Sequence, residues 1–180
     1  MKKIVLTFSL SLMVLANYAQ NLFTSKTAQV SFFSKTPVED IKAECNTANA
    51  LLNTEGSIAF VINNTSFEFP NKLMQEHFNE KYMESDKYPM STFKGKINEK
   101  IDYTKDGTYE VTTSGTLNIH GVEQERTIPG TINIKNGVIN LASNFKVKVA
   151  DHKITIPKLV VAKIAEEIDV KVNAELLPKK

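Results

Sequence analysis

The chain has 180 residues, with 22 Lys and Arg against 20 Asp and Glu, and a single cysteine. The first nineteen residues contain two lysines and no acid, so the remainder balances 22 − 2 = 20 basic residues against 20 acidic ones. This balance argues against nucleic acid or an anionic surface as a partner held by net charge. The lone Cys45 excludes an intramolecular disulfide, and we expect it to be a small buried residue.

The N-terminus predicts export. Two lysines precede an apolar run at residues 4–16, which is too short to span a bilayer comfortably. Small and polar residues follow it, so residues 1–19 are interpreted as a cleaved signal peptide and residues 20–180 as one domain. The candidate cleavage sites follow Ala16, Ala19 and Gln20. We therefore expect a periplasmic or secreted protein that is not embedded in a membrane.

Two strand-like segments, residues 28–34 and 56–69, come before a short helix. The segment between them, residues 38–53, could include a short helical turn. The helix begins after Asn71, which is a plausible N-cap, and Pro89 prevents it from continuing.

Met74, Phe78 and Tyr82 follow one another at the i, i+4, i+8 spacing and form one apolar stripe on this helix. Leu73 and His77 lie beside the stripe. The stripe either packs on the sheet or forms a lid or mouth for an apolar ligand, and the sequence leaves both open.

An antiparallel meander follows the helix. Its predicted strands are residues 92–103, 109–119, 128–134 and 139–149. Asp106-Gly107, His120-Gly121 and Asn136-Gly137 are the connections, and Asn-Gly is the strongest short hairpin signal. Gly115 in the middle of its strand indicates a bend or a bulge.

The C-terminal part of the chain predicts a second helix and a last strand. Pro157 suits the first turn of a helix, and Val160, Ile164 and Ile168 form another i, i+4, i+8 stripe. Residues 170–176 then alternate as a strand. About eight strands with one apolar face each predict an all-β, eight-stranded antiparallel β-barrel with two short amphipathic helices. Its interior would either pack solid or hold one small ligand.

Several segments resemble the YceI-like family. They are PNKLMQEHFNEKYMESDKYPMSTFKG (70–95), FFSKTPVEDIKA (32–43), GTLNIHG (115–121), DHKITIP (151–157) and VAKIA (161–165). The resemblance implies a lipocalin-like barrel that binds a polyisoprenoid or another lipid tail, and residues 32–43 resemble a Bacteroidetes-type branch. Better-known members begin with a strand that contains Trp and His, whereas this chain has no tryptophan.

Motifs for catalysis are absent from the sequence: it has no G-x-S-x-G, no Walker loop, no dinucleotide fingerprint and no C-x-x-C. The three histidines, His77, His120 and His152, are scattered over a helix and two predicted loops. A metal site formed by them with Glu76 or Asp151 is a minor alternative to turn or surface positions. We expect no enzyme, no catalytic residue, no metal and no cofactor.

The resulting hypothesis is an exported carrier or sequestering protein with an isoprenoid lipid or quinone as its ligand. The predicted apolar lining is Phe60, Met74, Phe78, Tyr82, Phe93, Leu117, Ile119, Phe145, Val160 and Ile164. His120 or His152 could contact the head group at a polar mouth. The competing hypotheses are a solid-cored interaction module and, third, a small exported enzyme. A homodimer is left open.

Overall fold

The computed structural model of the protein describes residues 22–179, so the predicted signal peptide at residues 1–19 lies outside the described residues. Eight strands make up most of this region. They are β1 (Leu22–Lys35), β2 (Asp40–Asn53), β3 (Ser57–Asn63), β4 (Met90–Ile97), β5 (Gly107–Ile119), β6 (Val122–Lys135), β7 (Val138–Lys148) and β8 (Glu167–Pro178). One short α-helix, α1 (Lys72–His77), continues into a π-helical turn at Phe78–Tyr82.

The strands form a closed antiparallel barrel in which each strand pairs with the next and β8 closes the sheet against β1. This confirms the predicted fold class. Side chains at alternating positions face inward, as in β5, where Val111, Thr113 and Leu117 are buried. Closing a sheet into a barrel requires local irregularities in strand pairing. In β1 these are the register shifts between Ser25 and Val30.

The two ends of the barrel differ. The end that carries the β2–β3, β4–β5 and β6–β7 connections has a solid core, and we call it the closed end. Its large apolar side chains of at most 2% exposure are Leu52, Ile132, Ile134, Ile139 and Leu176. Phe23 and Tyr103 pack nearby, with ring centroids 6.2 Å apart. The opposite end, which we call the helix end, carries α1 and the β1–β2, β5–β6 and β7–β8 connections.

The helical turn suggested for residues 38–53 is wrong, because Asp40–Asn53 form strand β2 and Val38 and Glu39 belong to the turn before it. Most of its inward side chains are small: Ala43, Cys45, Ala48 and Ala50 are buried there, with Leu52 at its end. Small residues weaken the contrast between the two faces, and register shifts in the β1–β2 pairing also break strict alternation. Cys45 is buried as expected.

The second amphipathic helix is also wrong. Only a 3-10 segment, Lys158–Lys163, forms after Pro157, Ile164 is extended, and Ile168 already belongs to β8. The i, i+4, i+8 stripe therefore combines one residue of a 3-10 segment, Val160, with two residues of extended backbone, Ile164 and Ile168. No helix within residues 22–179 is long and apolar enough to cross a membrane.

Several predicted strand boundaries need correction. β3 ends at Asn63, and β6 begins at Val122 rather than near residue 128. β4 ends at Ile97 because the Glu99 carboxylate accepts the Thr112 N–H at 2.8 Å, in the place of a backbone partner. Gly115 marks no bulge, since pairing with both neighbours is continuous, but a Cβ there would collide with the backbone of Lys94 and Gly95.

Two hairpin turns follow from positive φ angles. His120 and Gly121 have φ of 53° and 70°, and Asn136 and Gly137 have φ of 52° and 75°. Two consecutive positive φ angles define the type I′ turn, whose twist matches that of the paired strands. The Asn136-Gly137 hairpin is therefore confirmed, and His120-Gly121 is an equally tight connection.

Candidate functional site

A largely apolar cavity of about 530 Å³ lies inside the helix end of the barrel. Its walls come from all eight strands, and α1 with the segment after Pro157 covers it. The volume falls within the range of roughly 300–1,000 Å³ that is typical of small-molecule sites. Polar lining is sparse and includes Ser91, Thr113 and Ser143.

All ten residues predicted as apolar lining border this one cavity. The barrel strands contribute Phe60, Phe93, Leu117, Ile119 and Phe145. The helix and the π-helical turn contribute Met74, Phe78 and Tyr82, while Val160 and Ile164 come from the segment after Pro157. Period-2 alternation aligned the strand residues, and the helical stripe aligned Met74, Phe78 and Tyr82. Val160 and Ile164 border the cavity although the helix predicted for them does not form.

Four phenylalanine rings attach the helix to the barrel. Phe78 stacks on Phe32 with centroids 5.5 Å apart, and Phe67 and Phe69 contact Phe78 at 5.5 and 5.1 Å. A backbone bridge between Glu44 and Glu68 holds the segment that carries Phe67 and Phe69 against β2. Sequence reasoning placed Phe67 and Phe69 in a strand and missed them as cavity lining, although their i, i+2 spacing was the available signal.

Local hydrogen bonds explain how the helix starts. The Asn71 side chain accepts the Leu73 N–H at 2.9 Å, which confirms the predicted N-cap. The Gln75 side chain accepts the Phe69 N–H at 3.2 Å and so fixes the entering chain. The helical region ends at Tyr82, and Glu84 has φ of 43°, so the chain leaves the helix before it reaches Pro89.

A buried asparagine supports the return from the helix to β4. Asn64 is fully buried, donates to the Tyr88 carbonyl at 2.7 Å and accepts from the Ser91 hydroxyl at 2.7 Å. Its backbone N–H donates to the Pro89 carbonyl at 2.8 Å. Because Ser91 also lines the cavity, this network fixes part of the wall. Nothing in the sequence pattern distinguishes Asn64 from a loop asparagine.

The cavity entrance is formed by the β1–β2 turn, α1 and residues 153–166, which we call the strap. Lys163 of the strap pairs with Glu39 of the turn at 3.6 Å, and the Ser34 hydroxyl accepts the Ala165 N–H at 2.9 Å. These two contacts fasten the strap across the end of the barrel. Tyr82 also lines this region, and burial raises the pKa of its hydroxyl.

His120 and His152 do not line the cavity, so their expected head-group role has no geometric basis. His120 instead bridges the Glu84 carboxylate at 2.7 Å and the His152 carbonyl at 3.1 Å. His152 is fully buried, and its Nδ1 donates to the Val122 carbonyl at 3.1 Å. Of the three histidines, only His77 borders the cavity. Within residues 22–179, no cluster of three His, Cys, Asp or Glu could hold a metal ion.

Comparison with known protein families identifies one family model that matches the chain. The family model described as the YceI-like domain matches residues 6–176. The chain belongs to the YceI-like family. The motifs at residues 115–121 and 151–157 thus lie within a match that extends over nearly the whole sequence. A search of curated proteins found no match.

Solved structures share the fold of this YceI-like chain. A polyisoprenoid binding domain from Saccharophagus degradans, implicated in plant cell wall breakdown, has 15% identity and a TM-score of 0.76 over 89% of this chain and 99% of its own. Burkholderia cenocepacia BcnA has 17% identity and a TM-score of 0.69, covering 83% and 95%. The Campylobacter jejuni YceI protein has 22% identity and a TM-score of 0.58, covering 74% and 81%. At these identities the similarity establishes the fold.

Proposed function

We propose that this YceI-like protein is an exported, non-catalytic carrier or sequestering protein that holds one long apolar tail inside its barrel. The main observation that supports this proposal is the apolar cavity of about 530 Å³ at the helix end. The family membership supports the proposal, as does the fold shared with a structure described as a polyisoprenoid binding domain. A polyisoprenoid or a quinone is the ligand class that we favour.

Chain length restricts the ligand. Burying one methylene contributes about 0.8 kcal/mol, so a tail of about eight carbons gains roughly 6 kcal/mol and one of about twenty gains roughly 16 kcal/mol. Association costs about 4–15 kcal/mol. A short tail therefore binds weakly, whereas a long tail can remain bound during purification.

Native mass spectrometry combined with solvent extraction tests the carrier proposal. Protein purified from its own host should carry a mass increment that corresponds to a lipid recovered in the extract. Added geranylgeraniol should bind, while octanol should bind much more weakly. A single ligand-free mass, an extract without lipid and no binding of geranylgeraniol or a quinone would contradict the proposal.

A solid-cored interaction module is the alternative function. Its barrel interior would be filled by side chains, as it is at the closed end, and the cavity at the helix end therefore favours the carrier. An enzyme would need a polar residue whose replacement abolishes turnover. The serine hydroxyls that line the cavity, those of Ser34, Ser91 and Ser143, bond to backbone groups or to Asn64, and within residues 22–179 none of them bonds to a histidine.

Export remains part of the proposal. We infer that the mature protein begins between Asn17 and Asn21 and is found in the periplasm or outside the cell. Mass spectrometry of the protein recovered after fractionation tests this inference, and an intact Met1 would contradict it. The assignment to a Bacteroidetes-type branch stays a prediction.

A further inference from the structure

Exposed apolar side chains surround the entrance of the cavity. Leu159 of the strap is 97% exposed, Val161 is 53% exposed, and Val38 of the β1–β2 turn is 61% exposed. Leu73, at the start of α1, is 55% exposed and also lines the cavity. Isolated exposed apolar residues are ordinary on protein surfaces, but these four lie on the three segments that form one entrance.

We propose that this rim docks on the surface of a lipid bilayer and that the tail ligand enters the barrel from that bilayer. We define the rim as Val38, Leu73, Leu159 and Val161. The inference rests on the proposed function in one respect, because it takes an apolar tail as the cargo. A bilayer is the occupant that we choose because Leu73 makes the rim continuous with the cavity wall, so a tail could pass between them without crossing water.

The charges near the rim suit a bilayer interface. Besides the acids Glu39, Asp40 and Glu76, the exposed lysines Lys35, Lys72 and Lys158 each lie within three residues of a rim side chain. Lysine stems lie along apolar surfaces while their ammonium groups stay in water, so these residues allow the rim to insert at the headgroup level. The strap has no acidic residue from 153 to 165. Because the mature chain has nearly equal numbers of acids and bases, apolar insertion rather than net charge should dominate the interaction.

The contacts that hold the strap in place indicate how docking on a bilayer could be coupled to entry of the tail ligand into the barrel. Within residues 22–179, the polar contacts of its central part are a 3-10 segment, the Glu39–Lys163 pair and the Ser34–Ala165 hydrogen bond, while Val160 and Ile164 border the cavity. The ion pair is solvent-exposed on the Lys163 side. Exposed ion pairs contribute little free energy. The strap can therefore shift toward the bilayer at a small cost, whereas the closed end, with its buried core, offers no comparable movement.

Flotation with phosphatidylcholine vesicles tests the proposal. The N-terminus of the purified protein must first be verified by mass spectrometry, because the apolar run at residues 4–16 would itself bind lipid. The test variant combines Val38→Ser, Leu159→Ser and Val161→Ser, none of which lines the cavity. The control combines Leu51→Ser and Leu177→Ser, which are 44% and 48% exposed and face solvent on either side of Thr24, far from the rim.

We expect the wild type and the control to float with the vesicles and the rim variant to bind at least about tenfold more weakly. Transfer of a fluorescent polyprenol from vesicles should slow by a similar factor in the rim variant. Equilibrium binding of geranylgeraniol added without vesicles should be unchanged. The docking proposal would be overturned if the wild type did not bind the vesicles, or if the control variant lost as much vesicle binding as the rim variant. Either result would leave geranylgeraniol binding, and with it the proposed function, intact. The rim would then be a surface for a protein partner.

Discussion

At the scale of single residues, buried polar groups matter most because each needs a partner. The Asn64 side chain donates a hydrogen bond to the Tyr88 carbonyl and accepts one from the Ser91 hydroxyl. These two bonds join the end of β3 to the start of β4. Apolar lining residues can be exchanged for others of similar volume at little cost. A polar group that loses its partner costs the full desolvation penalty.

Replacement of Asn64 by alanine should reduce the free energy of unfolding by about 1–3 kcal/mol, because it leaves the Tyr88 carbonyl and the Ser91 hydroxyl without partners. Urea denaturation monitored by circular dichroism measures the change. Asn98→Ala is the matched control, since its two side-chain hydrogen bonds, to Thr112 and Ser114, are solvent-exposed. Equal losses in both variants would contradict the role assigned to Asn64.

His152 should make the protein less stable on mild acidification. Burial lowers the pKa of its ring. Because Nδ1 donates to the Val122 carbonyl, Nε2 is the unprotonated nitrogen. Nε2 has no hydrogen-bond partner within residues 22–179. Below an ordinary histidine pKa of about 6.5, the unfolded chain binds a proton that the folded chain does not. The free energy of unfolding therefore falls as the pH falls from that value toward the lowered pKa.

Urea denaturation between about pH 5.5 and 7.5, which brackets the ordinary histidine pKa, checks this expectation. His152→Gln removes the titrating group, so its stability should depend less on pH than that of the wild type. His77→Gln is the control, because His77 is only partly buried. If the two variants showed the same pH dependence, the contribution assigned to His152 would be wrong.

At the scale of elements, the tight turns hold the barrel in register. Each type I′ turn places two residues at positive φ, and a residue other than glycine there costs about 1–2 kcal/mol. The surroundings of the two turns differ. A Cβ at Gly121 would lie 2.5 Å from Tyr88 Cε1, whereas a Cβ at Gly137 would meet no heavy atom within 4 Å.

Gly121→Ala should therefore destabilise the protein more than Gly137→Ala does. The second substitution measures the cost of the backbone conformation, and the first adds a collision with the Tyr88 ring, which packs on His120 at 4.7 Å. Thermal unfolding of the two variants compares them directly. A Gly137→Ala variant as unstable as Gly121→Ala would show that the collision is relieved by a small movement of the ring.

At the scale of the whole molecule, the barrel combines a solid end with a hollow one. The closed end contains the most deeply buried aliphatic side chains, while the helix end leaves a cavity of about 530 Å³. A void lined by apolar groups lacks dispersion contacts, so the empty protein gives up stability that a bound tail restores. Ligand binding and stability are therefore linked.

Thr113→Phe should fill part of the cavity and weaken this linkage. Thr113 is buried and lines the cavity, whereas Thr116 faces outward on the same strand. A saturating ligand at about a hundred times its Kd stabilises the folded state by roughly 2.7 kcal/mol. Geranylgeraniol should raise the Tm of the wild type and of the Thr116→Phe control, and it should raise that of Thr113→Phe much less. A full shift in Thr113→Phe would place the ligand elsewhere.

The sequence by itself determined the features that depend on local periodicity. Alternation identified most strands and their inward residues, including Phe60, Phe93 and Leu117, and the helical stripe with its cap at Asn71 followed from spacing and residue type. The Asn136-Gly137 hairpin followed from the positive φ that glycine and asparagine tolerate. These features were predictable because each is decided by neighbours along the chain.

Only the tertiary structure decided features that depend on distant residues. β2 is a strand despite its small residues because β1 and β3 supply its hydrogen bonds, and β4 stops at Ile97 because the Glu99 side chain replaces a strand partner. The strap is not an α-helix because it must bridge from β7 to β8 across the barrel end, where Ser34 and Glu39 hold it. Whether the interior is solid or hollow also depends on how all eight strands and α1 pack together, and no local pattern encodes the sum of those volumes.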